Sequence, residues 1–239
     1  MEKNSSRFNR REFLKRMLAA GIVGGALSPA LVRRVMAMGA GGQLLEGVRK
    51  LQGTVAVNGS PAQVGSIVFP GDIITTGSAS FGVFVIEKDA FLVRENSRLE
   101  LVGEKAGQGQ GARSIVKTIK VAAGKVLSVF GSGGKRVETT TAVAGTRGTG
   151  LYIESEPDLT YLCLCYGSIE LGAVARPDAR DQFSSQYHEA RYILPGKSGK
   201  AFLKAPKINH EDEELVMLET LVGREPSFVS GGKGPARAY

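Results

Sequence analysis

From Leu44 to Leu203 the chain is written in short runs rich in Val, Ile, Thr and Phe, punctuated by glycine. No other feature limits its fold so strongly. β-Branched and aromatic residues suit a pleated, half-buried surface, and glycine-bounded runs of them read as strands. GTVAVNG (53–59) ends in Asn58-Gly59, a tight-turn pair that accepts positive φ. GDIITTG (71–77) is a second strand between glycines. SFGVFVIEKDAFLVRENSRLELVG (80–103) reads as three strands turning near Lys88-Asp89 and Glu95-Asn96, and SIVKTIKVAAGKVLSVFG (114–131) as two divided at Gly124. KRVETTTAVAGTRGTGLYIE, LTYLCLCYGSIEL and ARYILPGKSGKAFL continue the series to residue 203. Helical periodicity is missing across the region, so the expected class is all-β: a solenoid, roll or sandwich of short strands.

One helix is expected near the C-terminus, over about residues 210–222, in NHEDEELVMLETLVGR. Leu215, Leu218, Leu221 and Val222 share a face, and acidic residues crowd the first turn where they complement the helix dipole. Gly223 and Pro226 supply the stop. Residues 225–239 read as a disordered tail.

The first 39 residues have a different character. NRREFLK (9–15) precedes a mildly apolar, Gly- and Ala-rich stretch, Met17–Val32, and then small residues suited to signal-peptidase cleavage near Ala37 or Gly39. Arg10, Arg11, Phe13, Leu14 and Lys15 together resemble a twin-arginine translocation signal. That resemblance implies passage through the twin-arginine translocase into the periplasm as a folded protein. The apolar stretch is short and broken by Gly and Pro, against the roughly 20 apolar residues that a membrane-spanning helix needs. No stable transmembrane helix is therefore expected after cleavage. The segment also explains the charge. It holds eight Lys/Arg and two Asp/Glu, a net +6 of the total +8, leaving 23 basic and 21 acidic residues after it. A nearly neutral body without a clustered basic face is not built for nucleic acid.

Two glycine-rich stretches invite a phosphate-loop reading and fail it. AGQGQGARS (106–114) lacks the strand-to-helix setting of a dinucleotide fingerprint, and GSGGKR (131–136) places Arg136 where a magnesium-binding Ser or Thr would stand. TAVAGTRGTGLYIE (141–154) is more informative. Gly145, Gly148 and Gly150 alternate with Thr146, Arg147 and Thr149, which predicts a tight corner or bulge. Arg147 would clamp loop carbonyls there or, in the other reading, capture an anion with nearby backbone N–H groups.

The chain resembles the FecR domain, through GTVAVNG, GDIITTG, ENSRLEL, GKVLSVFG and above all TAVAGTRGTGLYIE with its Gly145-Thr146-Arg147-Gly148-Thr149 core. The likeness runs over roughly residues 45–171, so the organisation expected is a leader (1–39), a FecR-like β domain (44–171), an extension (172–224) and the tail. The resemblance implies a solenoid- or roll-like envelope module. FecR regulators sense an outer-membrane signal and control a sigma factor through a cytoplasmic helical segment and a transmembrane helix. Here residues 1–39 are read as an export signal instead. The role expected is binding, sensing or scaffolding, with an envelope protein or glycan as partner, or a regulatory subunit whose anti-sigma segment lies on another chain.

Both cysteines and both histidines of the chain fall between residues 163 and 210. In LTYLCLCYG, strand alternation puts Tyr161, Cys163 and Cys165 on one face and Leu162, Leu164 and Tyr166 on the other. Two residues along a strand span roughly 6.6 Å, more than the usual Cα separation in a disulfide, so a Cys163–Cys165 bridge would be strained. Cys163, Cys165, His188 and His210 instead form a candidate Cys2His2 set for zinc or Cu(I), if the helix entry and the 188 region fold onto the cysteine face. A redox dithiol on a β platform and simple core packing remain the other readings of the same thiols. No nucleophile elbow, H-E-x-x-H or Rossmann fingerprint is present, and no catalytic residue is assigned.

Overall fold

The structure, a computed structural model, describes residues 27–39, 46–106 and 113–230. The export motif Arg10–Lys15 and residues 231–239 lie outside the described residues.

The chain is all-β with helices added at both ends of the described region. Fourteen strands join in one sheet: β1 (Gly47–Gln52), β2 (Val55–Val57), β3 (Ser60–Pro61), β4 (Ile73–Thr76), β5 (Phe81–Ile86), β6 (Asp89–Val93), β7 (Arg98–Ala106), β8 (Arg113–Val129), β9 (Lys135–Glu138), β10 (Ala142–Glu156), β11 (Leu159–Ala173), β12 (Arg176–Ser185), β13 (Glu189–Ile193) and β14 (Phe202–Ala205). The pairings are antiparallel except for β8 with β9. Asn58 and Gly59 turn between β2 and β3 at φ 51° and 79°. The β5–β6 turn falls at Glu87-Lys88, one residue before the expected place, with Glu87 at φ 56°.

The strands are not uniformly short. β8 runs for 17 residues and β10 and β11 for 15 each. The expected break at Gly124 is a change of partner inside one strand. Up to Ala123, β8 pairs with β7; from Gly124 it pairs with β10 and then β6. Gly124 has φ +82°, and a Cβ there would meet Ser97 Oγ at 2.2 Å. Glycine lets the strand pass the Glu95–Ser97 turn without interruption. β11 is shared in the same way, with β13 beside its first half and β12 beside its second.

Because the central strands are covered on both sides, their alternating residues serve two cores. Phe84, Phe91, Val93, Leu151, Ile153, Leu162 and Leu164 belong to one. Val83, Val85, Leu92, Tyr152, Tyr161, Cys163 and Cys165 belong to the other, which the helices cover. The helices are α1 (Pro29–Gly39), α2 (Asp212–Leu221) and α3 (Ser227–Ser230). In α2, Leu215, Leu218, Leu221 and the following Val222 are buried as their spacing predicts, and Gly223 ends the helix at φ +71°. Met217, Glu214 and Glu219 are buried as well, because α1 packs on α2 and covers more than one face. Ser227–Ser230 also belong to the fold, with Phe228 2% exposed against Tyr166 and Tyr187. Among the described residues no helix is long and apolar enough to cross a membrane.

Candidate metal centre

Cys163 and Cys165 lie on β11 and are fully buried. The alternation predicted for this strand fails at one point, beside the site. Leu164 pairs with Leu151 and Tyr166 with Gly150, so Cys165 is an extra residue with no partner on β10. A bulge of this kind re-aims the side chains that follow it. Tyr166, expected on the opposite face from the cysteines, joins the same core as they do. Gly150 makes this arrangement fit: a Cβ there would meet the Tyr166 ring at 2.4 Å. The Gly-Thr-Arg-Gly-Thr motif is thus a bulged stretch of β10 with Gly148 at φ +59°. Its Arg147 is exposed and Gly145 is exposed, while Thr146 and Thr149 are buried. Against the expected loop clamp, Arg147 is exposed rather than buried, standing opposite Ser168 on β11, and among the described residues it clamps no loop carbonyl.

The other two residues reach the cysteines by different routes. His188 immediately precedes β13, and its backbone N–H donates to the Cys165 carbonyl at 3.0 Å, which fixes it beside that cysteine. It stands at φ +44°, an uncommon angle for a residue with a Cβ. His210 lies in the approach to α2. Tyr161 Oη donates to the Pro206 carbonyl at 2.9 Å and accepts from the Ile208 N–H at 3.2 Å, anchoring that approach. Tyr152 stacks on the His210 ring with centroids 4.5 Å apart, and Asn209, itself at φ 56°, donates to Glu154 at 2.7 Å.

The four side chains converge. Cys163 Sγ lies 3.6 Å from His188 Nδ1, Cys165 Sγ 3.5 Å from His210 Nε2, and the two nitrogens 3.2 Å from each other. All four ligand atoms lie within 4.8 Å of one another. A tetrahedron with bonds of about 2.3 Å to sulfur and about 2.05 Å to nitrogen has S–N edges of about 3.6 Å and an N–N edge of about 3.3 Å. These three spacings match edges of one coordination sphere, and the other three are each within 4.8 Å.

The outer partners aim the correct nitrogens inward. His188 Nε2 meets Asp212 Oδ1 at 2.8 Å, and His210 Nδ1 meets the Ile208 carbonyl at 2.7 Å. If each of these nitrogens carries the proton, the lone pairs of His188 Nδ1 and His210 Nε2 both face the thiols, as metal-ligating histidines require. Asp212 also accepts from Lys207 Nζ at 2.7 Å and Tyr187 Oη at 2.6 Å. Burial works to raise its pKa, but the hydrogen bonds from His188, Lys207 and Tyr187 win and hold the carboxyl below its ordinary range. The Cys165 S–H favours the Cys163 thiolate against burial, as do the imidazoles when their inward nitrogens carry protons, whereas burial pushes Cys165 up. His188 is raised: burial lowers it, but Asp212 and the Cys163 thiolate outweigh burial.

Sequence reasoning named the four residues that the structure brings together and missed their supports. It assigned the acidic run Glu211–Glu214 to helix capping alone. Glu214 does cap, accepting the Glu211 N–H at 3.0 Å, but it is also buried in a pair with Arg94 Nη2 at 2.8 Å to each oxygen, and Asp212 orients His188. No local spacing pointed to Asp212, because the histidine it orients lies 24 residues earlier.

Comparison with known proteins adds little. No family model matches the chain, and no curated protein matches it. Two crystal structures of a "putative anti-sigma factor" from Parabacteroides distasonis ATCC 8503 are similar to it at 11% identity and a TM-score of 0.43, covering 56% of this chain and 59% of that one. The match therefore spans less than two thirds of that protein's length.

Proposed function

We propose that this chain is an exported, FecR-like β module of the cell envelope that binds, senses or scaffolds, and that one zinc ion held by Cys163, Cys165, His188 and His210 fixes its C-terminal extension to the sheet. The single observation that supports the metal reading most is the match of three ligand-atom spacings, 3.6, 3.5 and 3.2 Å, to the edges of a tetrahedral Cys2His2 sphere. Four protein ligands leave no open position for substrate or water, which is the pattern of structural rather than catalytic zinc. The two cysteines are 0% exposed and His210 1%, so the ion is taken up as the chain folds. That timing agrees with a twin-arginine leader, which exports folded protein after loading in the cytoplasm. The exported, FecR-like part of the proposal rests on the leader motif and on the β motifs of the sequence, with an envelope protein or glycan as partner.

Elemental analysis of protein folded in the cytoplasm tests the metal. One zinc per chain, lost in Cys163→Ser with Cys165→Ser, is the expected result. Stoichiometric copper would keep the site and change the ion, and metal-free protein of undiminished stability would sink the reading.

A further inference from the structure

The segment read as the end of the leader is part of the folded body. Val32 and Val35 of α1 are 3% and 1% exposed, in the same core as Leu215, Leu218 and Leu221 of α2. Leu27 and Leu31 pack on that core, and the Leu27 backbone N–H donates to Glu214 Oε1 at 2.9 Å. Glu214 is 0% exposed and already holds Arg94. Cleavage near Ala37 or Gly39 would strip both valines from the core and remove a donor from a buried carboxylate. A peptidase would also meet Ala37 inside a docked helix, whereas a protease needs its substrate chain extended in its cleft.

A second small-residue pair stands just ahead of this packed segment. Gly24 and Ala26 occupy the two positions before and at a cut between Ala26 and Leu27, with Gly25 between them, and Met17–Val23 supplies a short apolar region upstream. Small residues at these two positions, after a positively charged start and an apolar region of roughly 7–15 residues, are what a signal peptidase selects. We infer that the leader is removed between Ala26 and Leu27, so that α1 stays on the exported protein and the new Leu27 ammonium pairs with the buried Glu214 carboxylate. Water adds across the Ala26–Leu27 amide, leaving a carboxylate on Ala26 and the ammonium on Leu27. The new charge appears where a backbone donor already points at Glu214, and that carboxylate then carries two cations, Leu27 and Arg94. This inference rests on the export reading above and replaces its cleavage window.

The full chain, expressed in a Gram-negative host that has the twin-arginine translocase, tests it by intact-mass measurement of the periplasmic fraction. The expected product begins at Leu27. Ala26→Phe should abolish processing and leave the precursor with the membrane. Ala37→Phe, at an exposed position of α1, should be processed like the parent. A periplasmic product beginning within residues 36–40, or one that keeps the whole leader, overturns the site while leaving export intact. Absence from the periplasm, with no change on Arg10→Lys and Arg11→Lys, removes the export reading and the site together.

Discussion

His188 Nε2 and Asp212 Oδ1 lie 2.8 Å apart, with both side chains buried, and this pairing leaves His188 Nδ1 as the nitrogen that faces Cys163. The carboxylate belongs to α2 and the imidazole to the turn before β13, so the pair also ties the helix to the sheet. Asp212→Asn keeps the shape and loses the charge. Zinc affinity should fall by about 10- to 100-fold, the usual effect of removing such a support. A competition titration against a chromophoric chelator reads it, and unchanged affinity would show that Asp212 serves only the helix.

Loss of the thiols should reach beyond the metal. Cys163→Ser with Cys165→Ser leaves two imidazole nitrogens 3.2 Å apart in a dry core with no ion between them. The expected penalty is about 3 kcal/mol for two poorly satisfied buried groups. It corresponds to a drop of roughly 6–12 °C in Tm for a domain of this size. Calorimetry of the parent and the variant, each with excess zinc, checks the figure.

Gly150→Ala should destabilise although it adds only a methyl group. The new Cβ would sit 2.4 Å from the Tyr166 ring. The ring has little room to retreat: its hydroxyl donates to the buried Glu219, and its edge packs on Phe228. Overpacking of this kind costs about 1–3 kcal/mol. The shift should appear in the urea midpoint, together with an altered near-ultraviolet dichroism from the tyrosines.

The Arg94–Glu214 pair should behave asymmetrically. Arg94→Met takes the side-chain cation from a carboxylate that is 0% exposed and leaves that charge only the Leu27 and Glu211 nitrogens, at a cost of about 3 kcal/mol. The double change Arg94→Met, Glu214→Met removes the stranded charge and should recover much of that loss. A double-mutant cycle on unfolding free energies separates the two cases.

Acid should weaken the fold partly through Asp212. Its folded pKa lies below the ordinary value. A carboxyl of this kind contributes stability that is complete above its unfolded pKa, near 4, and is lost as the pH falls toward the depressed folded value. Between about pH 4 and pH 2 the parent should therefore lose stability more steeply than Asp212→Asn. Urea midpoints across that range, measured on metal-free protein, would give parallel curves if the carboxylate contributed nothing.

Strand content, the Asn58-Gly59 turn and the buried face of α2 were legible because each rests on local rules: alternation, positive φ and helical spacing. The long strands were not. Nothing local to Gly124 distinguishes a glycine that ends β8 from one that lets it pass a neighbouring turn, since the deciding atom is Ser97 Oγ, 27 residues earlier. The face of Tyr166 was misread for a related reason. Alternation holds until a bulge shifts it, and the bulge at Cys165 depends on the ring room left by Gly150 across the sheet. The ligand set was legible from the scarcity of Cys and His in the chain. Its supports were not, because Asp212 and Glu214 sit in a run that helix capping already explained.

The shared strand β11 sets the order in which a nascent chain can complete its core. The thiols leave the ribosome with Cys165, but His210 follows 45 residues later. Until it does, two sulfurs wait in a segment whose first half still lacks its neighbour β13. During synthesis those thiols are exposed to oxidation and stray ions, and they are withdrawn only when the approach to α2 folds over them. Growth conditions that oxidise thiols should therefore lower the yield of finished protein more than they disturb molecules already made.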